Sequence, residues 1–218
     1  MKLLYIILAI GLIYLFWVVW VYLNVKTPSP SGQILDINSL KTGDLIFISG
    51  QTHGEKMIKW ITGSEWSHVA LIIKEDDDLS GSKMLFVWEA DIGRGYKDGP
   101  RIVKLSDKLH LIKTLPQYKT DQVIGVRRIS RHLNPEKVMK SVKKYLYKKM
   151  DYNMSKWAVS NTPLYYIFSD NNKIFCSEAV ALVLQDVGVL NKEERAASYS
   201  PESFITIDGY SPIEYYSI

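Results

Sequence analysis

The chain has 218 residues, 47% of them hydrophobic and 23% charged. That is apolar material for one packed domain with an appendage, and it excludes global disorder. The single cysteine, Cys176, excludes an intrachain disulfide framework and a Cys-rich zinc module, and a net charge of +4 is too mild to argue for nucleic acid.

The first element is the apolar run Leu3 to Val25, 23 residues without a charge, bracketed by Lys2 and Lys26. At about 1.5 Å per helical residue it spans roughly 34 Å, enough for a hydrocarbon core of about 30 Å. Trp17, Trp20 and Tyr22 gather toward its C-terminal end, where amphipathic rings favour the headgroup level. The run predicts a membrane-spanning helix, so residues 1–26 read as an anchor with the lipid bilayer as partner through 3–25. A cleaved signal peptide fits less well, because no small-residue cleavage site follows. The flanking lysines do not decide the orientation; a free cysteine favours a domain facing the cytosol. Residues 27–34, with Pro28 and Pro30, read as a polar extended linker, and residues 35–218 as one domain.

Within that domain, Leu45–Ile48 predicts a short apolar strand and Gly54–Ile61 a helix. Trp66–Ile73, apolar on both faces, predicts a buried strand, and 75–82 an acidic turn. Met84–Asp91 predicts the next strand, Gly93 to Pro100 a long loop, and Gln122–Ile129 another strand. Asn134 as cap and Pro135 at the first turn open a helix expected over Pro135–Lys149. Cys176–Val187 predicts a second helix, stopped by Gly188. Strands and helices without steady alternation indicate an α+β fold.

Cys176 falls in the first turn of its helix, where unpaired N–H groups and the helix dipole favour a thiolate. The bland alternative is a small buried hydrophobe. Among the histidines, His53, His110 and His132 lie in polar surroundings and read as surface residues. His68 sits inside a strand that is otherwise apolar and needs a hydrogen-bond partner. If 67–74 and 83–90 form a hairpin with Lys74 opposite Lys83, His68 falls opposite Glu89 on the same face. A register slip of two substitutes Asp91; a slip of one breaks the pair. A carboxylate orients an imidazole, and an imidazole deprotonates a thiol. The candidate catalytic set is therefore Cys176 as nucleophile, His68 as base and Glu89, or Asp91, as orienting group. Substrate-binding residues are not legible, and the pattern calls for no metal or cofactor.

Leu40-Lys41-Thr42-Gly43-Asp44-Leu45-Ile46-Phe47, Trp66-Ser67-His68-Val69-Ala70-Leu71, Glu89 and Phe175-Cys176-Ser177-Glu178-Ala179-Val180 resemble the circularly permuted NlpC-type papain-like family. Its YiiX-like and poxvirus-type branch is the better match, with the lecithin:retinol acyltransferase group as a relation. Histidine strand before cysteine helix is that branch's order, and Asp151-Tyr152 and Ser200-Pro201 look like further family features. The resemblance covers roughly 38–206. It implies a small antiparallel, barrel-like sheet packed on the cysteine helix, and maps the family's thiol, base and polar third residue onto Cys176, His68 and Glu89. It also implies amide or ester acyl transfer through a thioester.

The stretch 127–149 carries nine Lys or Arg against the single acid Glu136. Beside an anchor, such a stretch suits anionic headgroups; a solvated helix face is the plain alternative. No aromatic stacking platform accompanies it, so no nucleic-acid partner is expected. The oligomeric state is left open. The sequence thus points to a membrane-anchored thiol hydrolase, either amidase/peptidase or esterase, acting on lipid, lipoprotein or membrane-associated peptide. An acyltransferase, or a non-catalytic binding or virion membrane protein on the same fold, are the rivals.

Overall fold

The computed structural model describes residues 2–29, 31–76, 83–92, 96–115, 123–151 and 170–218. A 23-residue helix, α1 (Lys2–Asn24), comes first, and its described apolar side chains are exposed outside both cores. Among the described residues no helix is long and apolar enough to cross a membrane. Past α1, the chain returns to the domain sooner than a free linker over 27–34 would. Ser31 donates to the Tyr215 carbonyl, Ser217 N donates to Gln33 O at 2.8 Å, and Ile34 bridges Ser217 in parallel.

The domain is built on β1 (Leu45–Ile48), α2 (His53–Thr62), β2 (His68–Asp76), β3 (Lys83–Asp91), β4 (Gly99–Lys104), α3 (Leu105–Thr114) and β5 (Val123–Arg127). These are followed by α4 (Pro135–Lys143), the two-residue strands β6 (Lys149–Met150) and β7 (Lys173–Ile174), α5 (Cys176–Asp186), α6 (Ser203–Thr206) and β8 (Glu214–Ser217). Six strands form one antiparallel sheet in the order β4-β3-β2-β1-β5-β8. The expected barrel-like sheet is corrected to an open one: β4 and β8 stand at opposite edges and do not pair. Pro100 suits the β4 edge, because proline has no N–H to give a further strand.

Strand parity sorts the core into two layers. Leu45, Phe47, Val69, Leu71, Ile73 and Trp88 face α4 and α5, where Val138, Val142, Val180 and Leu184 meet them. Ile46, Ile48, Ala70, Ile72 and Val87 face the other way, against Leu105 and Ile112 of α3. Trp88 ties α5 to the sheet, its indole N–H donating to Ala179 O at 3.0 Å. The Gly43-Asp44 pair of the motif is structural. Gly43 sits at φ 101°, and Asp44, fully buried, accepts from Lys41 N and Ile129 N at 3.0 and 2.9 Å.

Helix ends follow local chemistry. Thr52 and Glu55 form a capping box on α2, and Gly63 ends it in the left-handed region. Asn134 caps α4 at Lys137 N, with Pro135 in the first turn.

Four further expectations change. The β2–β3 ladder pairs Asp76 with Lys83 and Leu71 with Trp88, two residues from the symmetric register; the slip is even, so side-chain faces are kept. Gly99 and Pro100 open β4 rather than extending a loop, while Gly93, Gly95 and 77–82 of the acidic turn lie outside the described residues. The helix expected to reach Lys149 stops at Lys143, so that Lys149–Met150 can pair in parallel with Lys173–Ile174. Finally, α3 had not been expected, although Leu105, Leu109 and Ile112 already carry its i, i+4, i+7 spacing.

Candidate active site

His68 is the first residue of β2 and Asp91 the last of β3, so the site lies where the two strands end. His68 and Glu89 share the face of Ala70 and Val87, toward α3. Cys176 arrives from α5 on the opposite layer, as the first residue of that helix. The strand ends let the layers meet: His68, Asp91, Cys176, Asp151, Ser200 and Pro201 line one cleft of about 360 Å³. The same cleft is walled by Met57, Ile58 and Thr62 of α2.

The His68 ring nitrogen Nε2 lies 2.8 Å from Glu89 Oε2. That leaves Nδ1 for the thiol, and the Cys176 side chain is the imidazole's other hydrogen-bond partner. Burial alone would pull the His68 pKa down. The Asp91 carboxylate, with Cys176 and Glu89, outweighs it and pushes the imidazole from 6.5 up to about 9. Glu89 is fully buried. Its burial would raise the carboxyl, but the Lys108 ammonium, His68 and Arg101 hold it well below the usual range. Phe175, at the cap of α5, offers no side-chain acceptor to the first turn, so its N–H groups keep their pull on negative charge at Cys176. Ser177 steadies that turn by donating to Tyr199 O at 2.7 Å.

The structure thus brings together Cys176, His68 and Glu89, with Asp91 beside them rather than in place of Glu89. His53, His110 and His132 are exposed and are not among the residues that line the cleft. Tyr152 lies outside the described residues. Two site residues escaped the sequence reading. Arg101 pairs opposite Glu89 across β3 and β4 and puts its NH2 nitrogen 2.8 Å from Glu89 Oε1. Lys108 of α3 puts Nζ 2.7 Å from Glu89 Oε2 and 2.8 Å from Asp91 Oδ2. Both depend on elements that the Gly93–Pro100 region had concealed.

A family model described as permuted papain-like amidase enzyme, YaeF/YiiX, C92 family, matches residues 39–199. The chain belongs to this family. A hydrolase of the papain-like amidase type is therefore its class, and the order of histidine strand and cysteine helix is the permuted one. Among solved structures it is similar to a protein described as metalloprotein yiiX from Escherichia coli O157:H7, with a TM-score of 0.54 at 18% identity. The match covers 78% of this chain and 94% of that one, a likeness of fold. No protein of curated function matches the chain.

Proposed function

We propose that this family member is a membrane-anchored cysteine hydrolase that splits amide or ester bonds of lipid or lipid-linked substrates. One observation carries the reading: a buried imidazole held between the Glu89 carboxylate at 2.8 Å and the thiol of Cys176, with His68 and Cys176 lining a single cleft. The Cys176 thiolate attacks the substrate carbonyl carbon and forms the C–S bond. As the C–N or C–O bond breaks, protonated His68 gives its proton to the departing amine or alkoxide. Water then attacks the thioester while His68 takes a proton from it; the acid leaves and sulfur departs as thiolate. Glu89 keeps Nε2 occupied and so aims Nδ1 at the sulfur.

The membrane part of the proposal rests on the uncharged run Leu3–Val25 of the sequence and on the surface beside the cleft. Trp17 of α1 meets Trp60 of α2 edge-on, with centroids 4.7 Å apart, and Met57 and Ile61 of α2 are exposed next to the cleft wall. Lys137, Lys140 and Lys143 of α4 are exposed and remain for anionic headgroups. Arg127 does not, because its guanidinium is spent on the carbonyls of Phe204, Ile207, Tyr210 and Ser211.

The test is capture of an acyl-enzyme. Full-length protein in detergent, incubated with a short-chain thioester or p-nitrophenyl ester, gains the acyl mass on Cys176. Hydroxylamine removes it, and Cys176→Ala and His68→Ala prevent it. Equal acylation of wild type and His68→Ala overturns the mechanism.

A further inference from the structure

Three side chains at this site, His68, Glu89 and Asp91, offer ligand atoms within 4.8 Å of one another, the makings of a metal site. A structural neighbour is described as a metalloprotein. The surrounding charges do not fit a metal here. Lys108, itself 2% exposed, lays Nζ between Glu89 Oε2 and Asp91 Oδ2, at 2.7 and 2.8 Å. Arg101 closes the other side, with its NH2 nitrogen 2.8 Å from Glu89 Oε1 and 3.1 Å from Asp91 Oδ2. Two carboxylates already face two cations, so their charges cancel. A divalent ion bound to the same oxygens at about 2.0–2.2 Å would lie almost on top of the ammonium. Two like charges that close inside a protein repel by several kcal/mol, even at an effective dielectric of about 20.

We propose that Lys108 is the site's built-in cation: a positioning residue that occupies the place a metal would take, ties Glu89 to Asp91, and fixes the carboxylate that orients His68. The proposal rests on the hydrolase reading for what Glu89 does; the exclusion of metal stands on the charges alone. Lys108 is not itself among the residues that line the cleft; it stands behind Asp91, which is. It acts through Glu89, whose Oε2 it shares with His68.

Zinc titration of the full-length protein in detergent separates the two claims. Wild type, with Cys176 alkylated so that sulfur cannot contribute, binds no stoichiometric Zn²⁺ by calorimetry. Lys108→Met, which keeps the length and removes the charge, gains one site that His68→Ala in the same background removes. In wild type, acyl-enzyme turnover is unchanged by dialysis against a chelator. In Lys108→Met without zinc it falls about 10- to 100-fold, the usual cost of losing an orienting partner, and its alkaline pH limit moves upward, because a positive charge near His68 has gone. Lys108→Arg recovers part of the rate. Stoichiometric zinc in wild type that depends on His68, or turnover lost to the chelator and restored by zinc, overturns the proposal. So does Lys108→Met turning over like wild type with its pH limit unmoved. If Lys108→Met does not fold, the wild-type zinc and chelator arms still decide. A wild type that never acylates leaves the zinc arm to be read on its own, which separates failure of this inference from failure of the hydrolase reading.

Discussion

His68 concentrates the chemistry in one side chain, and its protonation dictates a pH profile. The imidazole, raised from 6.5 to about 9, stays protonated through neutral pH, the state in which the proposed mechanism has it give the leaving-group proton. Turnover is expected to fall as pH rises through about 9. Glu89→Gln removes one of the negative charges that hold the proton, so the falling limb moves to lower pH and the rate drops; stopped-flow pH–rate profiles of the two proteins check both signs. Cys176→Ser is expected to cost at least about a thousandfold in turnover, with an unchanged thermal midpoint. His68 and Glu89 were legible as polar misfits in apolar strands. The register error was even, so both stayed on one face; by the observed offset Asp91 falls level with His68, and Glu89 reaches the imidazole from the diagonal position two residues away. Parity was encoded in the alternation, whereas the ladder's offset depends on where the turn closes.

Single elements carry the burden of bringing Cys176 to His68. α5 is fastened to β3 by the Trp88 indole on Ala179 O, and Trp88→Phe is expected to cost about 1 kcal/mol for that hydrogen bond, read as a lower urea midpoint. β5 ends in Arg127, which gathers four carbonyls of the segment running from α6 to β8. Arg127→Met leaves them without that donor and is expected to destabilise by more than about 2 kcal/mol, with binding to anionic vesicles unaltered. Lysine-to-glutamine changes at Lys137, Lys140 and Lys143 do the reverse, weakening vesicle pelleting and sparing the urea midpoint. A count of basic residues put Arg127 and the α4 lysines in one class; only the burial of the guanidinium separates them. Likewise the Gly-Pro at 99–100, a turn signal by composition, starts an edge strand, because at an edge a proline leaves no pairing unmet.

At the scale of the whole molecule, two of the buried titratable groups, Glu89 and His68, set opposite slopes of stability with pH. Glu89, lowered from 4.5, contributes stability that is present above 4.5 and lost as pH falls through its folded value. His68, raised, contributes stability that is full below 6.5 and lost as pH rises through about 9. The thermal midpoint is therefore expected to be highest between about pH 4.5 and 6.5, with the alkaline decline reduced in His68→Asn; calorimetry across that range checks it. The two-layer α+β plan was readable from the alternation of patterns. The openness of the sheet was not, since closure depends on whether the first and last strands meet, and no local pattern records that.

The early return of the chain at Ser31 sets a length scale. Six residues, Val25 to Pro30, separate the end of α1 from the first bond to β8, and at full extension they reach about 20 Å. If α1 sits in a bilayer, as proposed, the cleft is held within a reach shorter than the membrane is thick. It meets molecules of its own leaflet at a high effective concentration and never those of a neighbouring vesicle. The protein then works in cis: product should form from substrate co-reconstituted with it, and its rate should be unmoved by adding vesicles that carry substrate alone.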